Sequence, residues 1–256
     1  MRLHFVSRDD AFAGLPWLAR HVMDWQRCAL DPASDRYEPG DQVFLDLDGE
    51  DATVLTEALA SQLNRDHEAQ LAALRDDFRG PLRDGKSIAF TVAEPPGATP
   101  EHSAAMAGPA LSDLCRALGC DEVAILPMTR RPILVQRNKA SETAHETLQA
   151  LGLKPDFDGA MIGAPDAIAP FVGPLFRIAR CNASAPYIAF GMKGLAVAGA
   201  FCKHVNFHFD SYDRGDADRL SHALAGCGFA VPDDGICGER FSETGAIEGR
   251  RLDLNP

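Results

Sequence analysis

A chain of 256 residues with 46% apolar and 24% charged side chains is long enough to bury a large core without disulfide staples, and it has a globular, not a disordered, composition. Its 25 Lys and Arg stand against 37 Asp and Glu, a formal charge of −12. That field repels a phosphate backbone, which argues against general nucleic-acid binding and leaves room only for a local basic pocket.

The first apolar run, LHFV (Leu3 to Val6), reads as a short strand, and the acidic residues directly behind it are unlike a secretory signal. In AGLPWLARHVMDWQRCAL, Leu15, Leu18 and Val22 begin a helical stripe. QVFLDLD then alternates as a half-buried strand does, and ends on Asp46 and Asp48. This spacing resembles the nucleophile motif of haloacid-dehalogenase-like phosphatases, in which Asp46 would attack phosphorus and Asp48 protonate the leaving group beside magnesium. Glu50 departs from that family's Thr or Val, and no later lysine and acidic pair complete the set, so an acidic strand end is the reading kept. A charged helix follows from about Ala52 to Phe78.

SIAFTVAEP is a strand. TPEHSAAMAGPALSDLCRALG is one interrupted helix or two short ones, capped by Thr99, entered at Pro100, broken at Pro109 and left at Gly119. DEVAILPM and RRPILVQ supply two more strands, and SETAHETLQALG another helix. From Lys154 to Pro186 the periodicity fades among repeated Gly, Pro and Ala, the pattern of a linker or site loop. KHVNFHF is a strand, DADRLSHALAGC a helix and GFAV a return strand, followed by a polar tail from Pro232.

These elements predict an α+β fold: antiparallel or mixed sheets with helices packed on one side. An echo between LHFVSRDD and FHFDSYDR raises a pair of ferredoxin-like βαβ half-units. The divisions expected are an N-terminal lobe over 1–153, a linker or site loop over 154–186 and a C-terminal lobe over 187–256. The most apolar run, Ala185 to Phe201, is only 17 residues long and contains Lys193, which is too short and too interrupted for a good membrane span. Seven cysteines, an odd number without a CxxC pair, fit a reducing cytoplasm better than a disulfide scaffold.

Chemistry concentrates in CKHVNFHFDSYD, Cys202 to Asp213. Val205, Phe207 and Phe209 alternate with His204, Asn206, His208 and Asp210, which predicts one continuous strand. On such a strand His204 and His208 stand about 13 Å apart, four steps of about 3.3 Å. They cannot then share one ion, so no metal is assigned. Cys202 with His204, and His208 with Asp210, remain neighbouring pairs. Asp210 can orient the His208 ring, so His204, His208 and Asp210 are the candidate acid–base residues.

MTRRPILVQRNK gathers Arg130, Arg131, Arg137 and Lys139 in an acidic chain, and arginines at a strand end can clamp a carboxylate or phosphate. Arg130 and Arg131, with Cys181 beside Arg180, are therefore the candidate substrate-binding residues. Three functions stay open: a binding or regulatory module working through a protein partner, which is the reading preferred, a small-molecule enzyme with an arginine-lined anion pocket, or a structural or catalytic metal site in which Cys202, His204, His208 or Asp210 is joined by distant ligands. No cofactor is nominated.

Overall fold

The computed structural model describes residues 3–44, 52–135, 137–247 and 250. The strand β1 (His4–Val6) enters α1 (Arg8–Gly14), whose first turn is capped by the Ser7 hydroxyl accepting from the Asp10 amide. Helix α2 (Pro16–Ala29) begins on a proline, which is preset for a first helical turn. A small ribbon, β2 (Gln42–Val43) with β3 (Thr53–Val54), precedes α3 (Glu57–Leu74). Asp46 and Asp48 lie outside the described residues.

The order continues with β4 (Ala89–Ala93), α4 (Pro100–Leu118), β5 (Val123–Pro127) and α5 (Glu142–Ala150). Next come β6 (Ala160–Gly163), α6 (Pro165–Cys181), β7 (Ile188–Met192), β8 (Val197–Phe201), β9 (Phe207–Ser211) and α7 (Arg214–Gly226). Two predicted strands dissolve. Residues 131–135 of RRPILVQ form turns, with Ile133 and Leu134 buried as plugs. GFAV contributes a single bridge, Ala230 to Glu94.

Helix α4 runs unbroken through Pro109, and the stretch 154–186 folds as β6 and α6 where the sequence suggests a linker or loop. One cause serves both. A Cβ on Gly108 would stand 2.2 Å from the Ala169 carbonyl oxygen, and one on Gly173 would stand 2.9 Å from that of Ala104. The small residues that blur the periodicity are those that let α4 and α6 lie backbone to backbone. That packing holds both helices across their internal prolines.

Seven strands form one antiparallel sheet in the order β1-β6-β5-β7-β8-β9-β4, so the fold is α+β. The order lends no support to two ferredoxin-like half-units, since β7, β8 and β9 run as a meander. Successive residues serve opposite faces: Val123 and Ile125 join the core that contains α4, α5, α6 and α7, while Ala124 and Leu126 join a smaller one against α1 and α2. The larger core centres on Phe176, Phe190, Phe201, Phe207 and Phe209, whose rings meet 4.8 to 5.9 Å apart at mostly tilted or edge-to-face angles. The inward phenylalanines of β9 force His208 and Asp210 onto the opposite face, the one α2 covers in part. Among the described residues no helix is long and apolar enough to cross a membrane.

Candidate functional site

The predicted strand over 202–210 is two elements. β9 starts only at Phe207, and a turn closes ahead of it: the Cys202 amide donates to the Asn206 carbonyl at 2.9 Å, and the Val205 amide to the Cys202 carbonyl at 3.0 Å. Val205 adopts φ 63°, the left-handed region, where a β-branched residue costs about 1–2 kcal/mol. Its side chain is nonetheless buried in the larger core, which holds the conformation in place. The turn folds the polar side chains of 202–208 back toward one another. The separation of about 13 Å holds only for an extended chain, so it gives no ground for keeping the two imidazoles apart.

They converge on a cysteine that sequence reasoning leaves in the tail. Cys202 Sγ and Cys237 Sγ are 3.4 Å apart, and His204 Nδ1 lies 3.2 Å from the Cys237 sulfur and 3.6 Å from the Cys202 sulfur. Asn206 Nδ2 donates to Cys237 at 3.4 Å. Cys202, His208 and Cys237 each present a ligand atom, all within 4.8 Å of one another. Cys237 sits in an irregular segment and is placed there by its neighbours. Glu239 pairs with Arg180 at 2.6 Å, with side chains 1% and 8% exposed. Arg240 donates to the Pro95 carbonyl at 2.8 Å and to Ser103 Oγ at 2.5 Å, with its guanidinium over the Phe241 ring.

Charge at the site is distributed unevenly. The hydrogen bond shared with Cys202 holds the Cys237 thiol well below the ordinary cysteine range, and contacts from His208, His204 and Asn206 add to this against the opposing effect of burial. The same shared bond, with burial, pushes Cys202 up. The pair therefore favours ionisation at Cys237 over Cys202. Two buried polar atoms here, His208 Nε2 and Asn206 Oδ1, have no hydrogen-bond partner among the described residues. Orphaned atoms in a polar cluster are where a bound ion or water is expected.

Thiolates and imidazole suit zinc and its neighbours. Two sulfurs on one tetrahedral zinc stand about 3.8 Å apart, from bonds of about 2.3 Å, and the thiol pair needs to open only slightly to reach that spacing. The cluster forms part of the wall of a cavity of about 360 Å³, which Ala179, Ala183, Pro186 and Phe201 also line. A metal held by three side chains at such a wall keeps one coordination position for a substrate or water.

The other residues nominated by sequence lie apart from this cluster. Asp210 faces α2, 3.3 Å from His21 Nδ1, and His21 in turn is 3.4 Å from the Tyr212 hydroxyl. Burial raises the Asp210 carboxyl, but hydrogen bonds from His21 and Ser87 outweigh it and leave the group below the usual carboxylate range. Arg130 borders a cavity of about 370 Å³ lined also by Asp9, Asp76, Asp77, Asp158 and Arg8, the last paired with Asp76, so carboxylates outnumber guanidiniums and an anion is poorly served. Arg131 takes part in a turn, its amide donating to Thr129 Oγ1. Cys181 is buried at the end of α6, where burial pushes its thiol up. His204 and His208 both line the cysteine cavity. Cys237 was legible only as an isolated cysteine in DDGICGER, with no partner at ligand spacing.

No protein-family model, no curated protein and no solved structure matches the chain.

Proposed function

We propose that this protein is a metal-dependent small-molecule enzyme whose zinc-class ion is held by Cys202, His208 and Cys237. The observation that carries the reading is the convergence of those three ligand atoms within 4.8 Å in the wall of a cavity. A bound zinc ion would act as a Lewis acid and lower the pKa of a bound water. The chain's own residues do the remaining work. Cys237 and Cys202 supply the negative charge that retains the cation, and Asn206 hydrogen-bonds Cys237. His204, within reach of both sulfurs and on the cavity wall, is the group placed to take up and return a proton. The alternative of a binding or regulatory module has no comparable constellation in its favour.

Elemental analysis of protein purified without an affinity tag tests the assignment. One equivalent of zinc is expected, lost in Cys202→Ser, His208→Ala and Cys237→Ser and retained in His204→Ala. Metal-free protein that also fails to take up added zinc would overturn the reading. Loss of the ion in His204→Ala would make the site a closed four-ligand centre and remove the open position.

A further inference from the structure

The cavity above the cysteines differs in charge from the rest of the molecule. The chain carries a formal charge of −12, yet among the described residues that line this cavity none bears a carboxylate, while Lys203 and Arg250 bear cations. The acid on the neighbouring segment, Glu239, is neutralised by Arg180 and only 1% exposed. Arg250 is held in place by donating to the Ala179 carbonyl at 2.6 Å and that of Arg180 at 3.2 Å. Lys203 stands exposed on the turn between Cys202 and His204. The remaining wall is mostly apolar, with Ala179, Ala183, Pro186, Phe201 and the exposed ring of Tyr187, and includes the amide of Asn182.

We infer that this cavity takes a small organic anion, a carboxylate carried on a short apolar or aromatic body. Its charged end lies toward Lys203, Arg250 and the metal position, and its body against the alanine, proline and phenylalanine wall. The balance of forces follows from the lining. Two cations without a competing carboxylate give a positive local potential that a low-dielectric cavity concentrates. An acidic protein repels the same anion everywhere else, so the binding is local. An amine of equal size would meet repulsion from Lys203 and Arg250, whereas the two thiolates balance the charge of the ion itself. A phosphodiester polymer is too large for a space of about 360 Å³.

The inference rests on the metal-centre reading, and cobalt-loaded protein separates the two. Binding of cobalt by Cys202 and Cys237 produces a near-ultraviolet thiolate-to-metal charge-transfer band, whatever enters the cavity. Benzoate is then titrated against the visible ligand-field bands, with benzylamine as the probe of equal body and opposite charge. Benzoate is expected to shift those bands saturably and benzylamine to leave them unchanged. Lys203→Glu should weaken benzoate about tenfold while the charge-transfer band keeps its intensity, and Arg250→Gln should weaken it in the same direction. If the charge-transfer band is present but benzoate produces no shift, or benzylamine competes equally, the anion inference is wrong and the metal centre stands. If the charge-transfer band is absent, the metal centre is wrong and the inference falls with it.

Discussion

At the residue scale, the site depends on one ion pair at its edge, whose Arg180 also donates to the Lys203 carbonyl in the turn at 3.3 Å. Arg180 and Glu239 are both nearly sealed from solvent, and Glu239 lies two residues from Cys237. Arg180→Gln strands a buried carboxylate and should cost about 3 kcal/mol in urea unfolding, whereas Arg180→Gln with Glu239→Gln recovers most of it. The pH dependence has a definite sign. Burial raises the Glu239 carboxyl, but the hydrogen bonds from Arg180 and from the Phe241 amide, with the charge of Arg180, outweigh it and leave the folded value below the ordinary 4.5. A depressed carboxylate contributes stability that is complete above the unfolded value and is lost as pH falls through the folded one. Wild type should therefore lose stability on acidification below about pH 4.5 more steeply than the double variant, as read from denaturation midpoints across that range.

The element that builds the site is the turn between β8 and β9, and its legibility in the sequence was partial. The alternation of Phe207 and Phe209 with His208 and Asp210 is real and places the phenylalanines in the core. Extending it back through Val205 to His204 failed, because the left-handed backbone at a valine leaves no mark in a pattern of apolar and polar residues. The strand's position depends on its aromatic anchor: Phe207 meets the rings of Phe176, Phe190, Phe201, Phe209 and Phe229. Phe207→Ala should cost about 3–5 kcal/mol. It should also weaken zinc binding, measured by competition with a chromophoric chelator, because His208 is the next residue on the same strand. Unchanged affinity at reduced stability would mean that the turn positions its ligands independently of the sheet.

Across the whole molecule, the α+β class is readable because helices such as α2 and strands such as β9 keep one period, while the central strands β5 and β7, buried on both faces between two cores, read as continuous apolar runs. Long-range partners are not readable. Cys237 comes 35 residues after Cys202 in a segment without periodicity, and only the fold brings the sulfurs to 3.4 Å. The prolines and glycines of 154–186 imitate a linker because close helix packing and chain breaks use the same small residues. The metal is expected to clip the irregular C-terminal segment to the sheet. Zinc at about a thousand times its dissociation constant should add about 4 kcal/mol of stability. Chelation should remove that gain and first expose residues 231–247 to proteolysis, with the seven-stranded sheet still intact by circular dichroism. Global unfolding on chelation would show that the ion holds the core and not the tail.

The central claim, one zinc-class ion bound by two sulfurs and one imidazole with a further position open, is tested most directly by X-ray absorption at the zinc edge. The expected spectrum has two sulfur scatterers at about 2.3 Å, one imidazole nitrogen at about 2.0 Å and one further light atom that changes when benzoate is added. A shell of oxygen and nitrogen alone, or a closed shell of two sulfurs and two imidazoles that no anion alters, would contradict it.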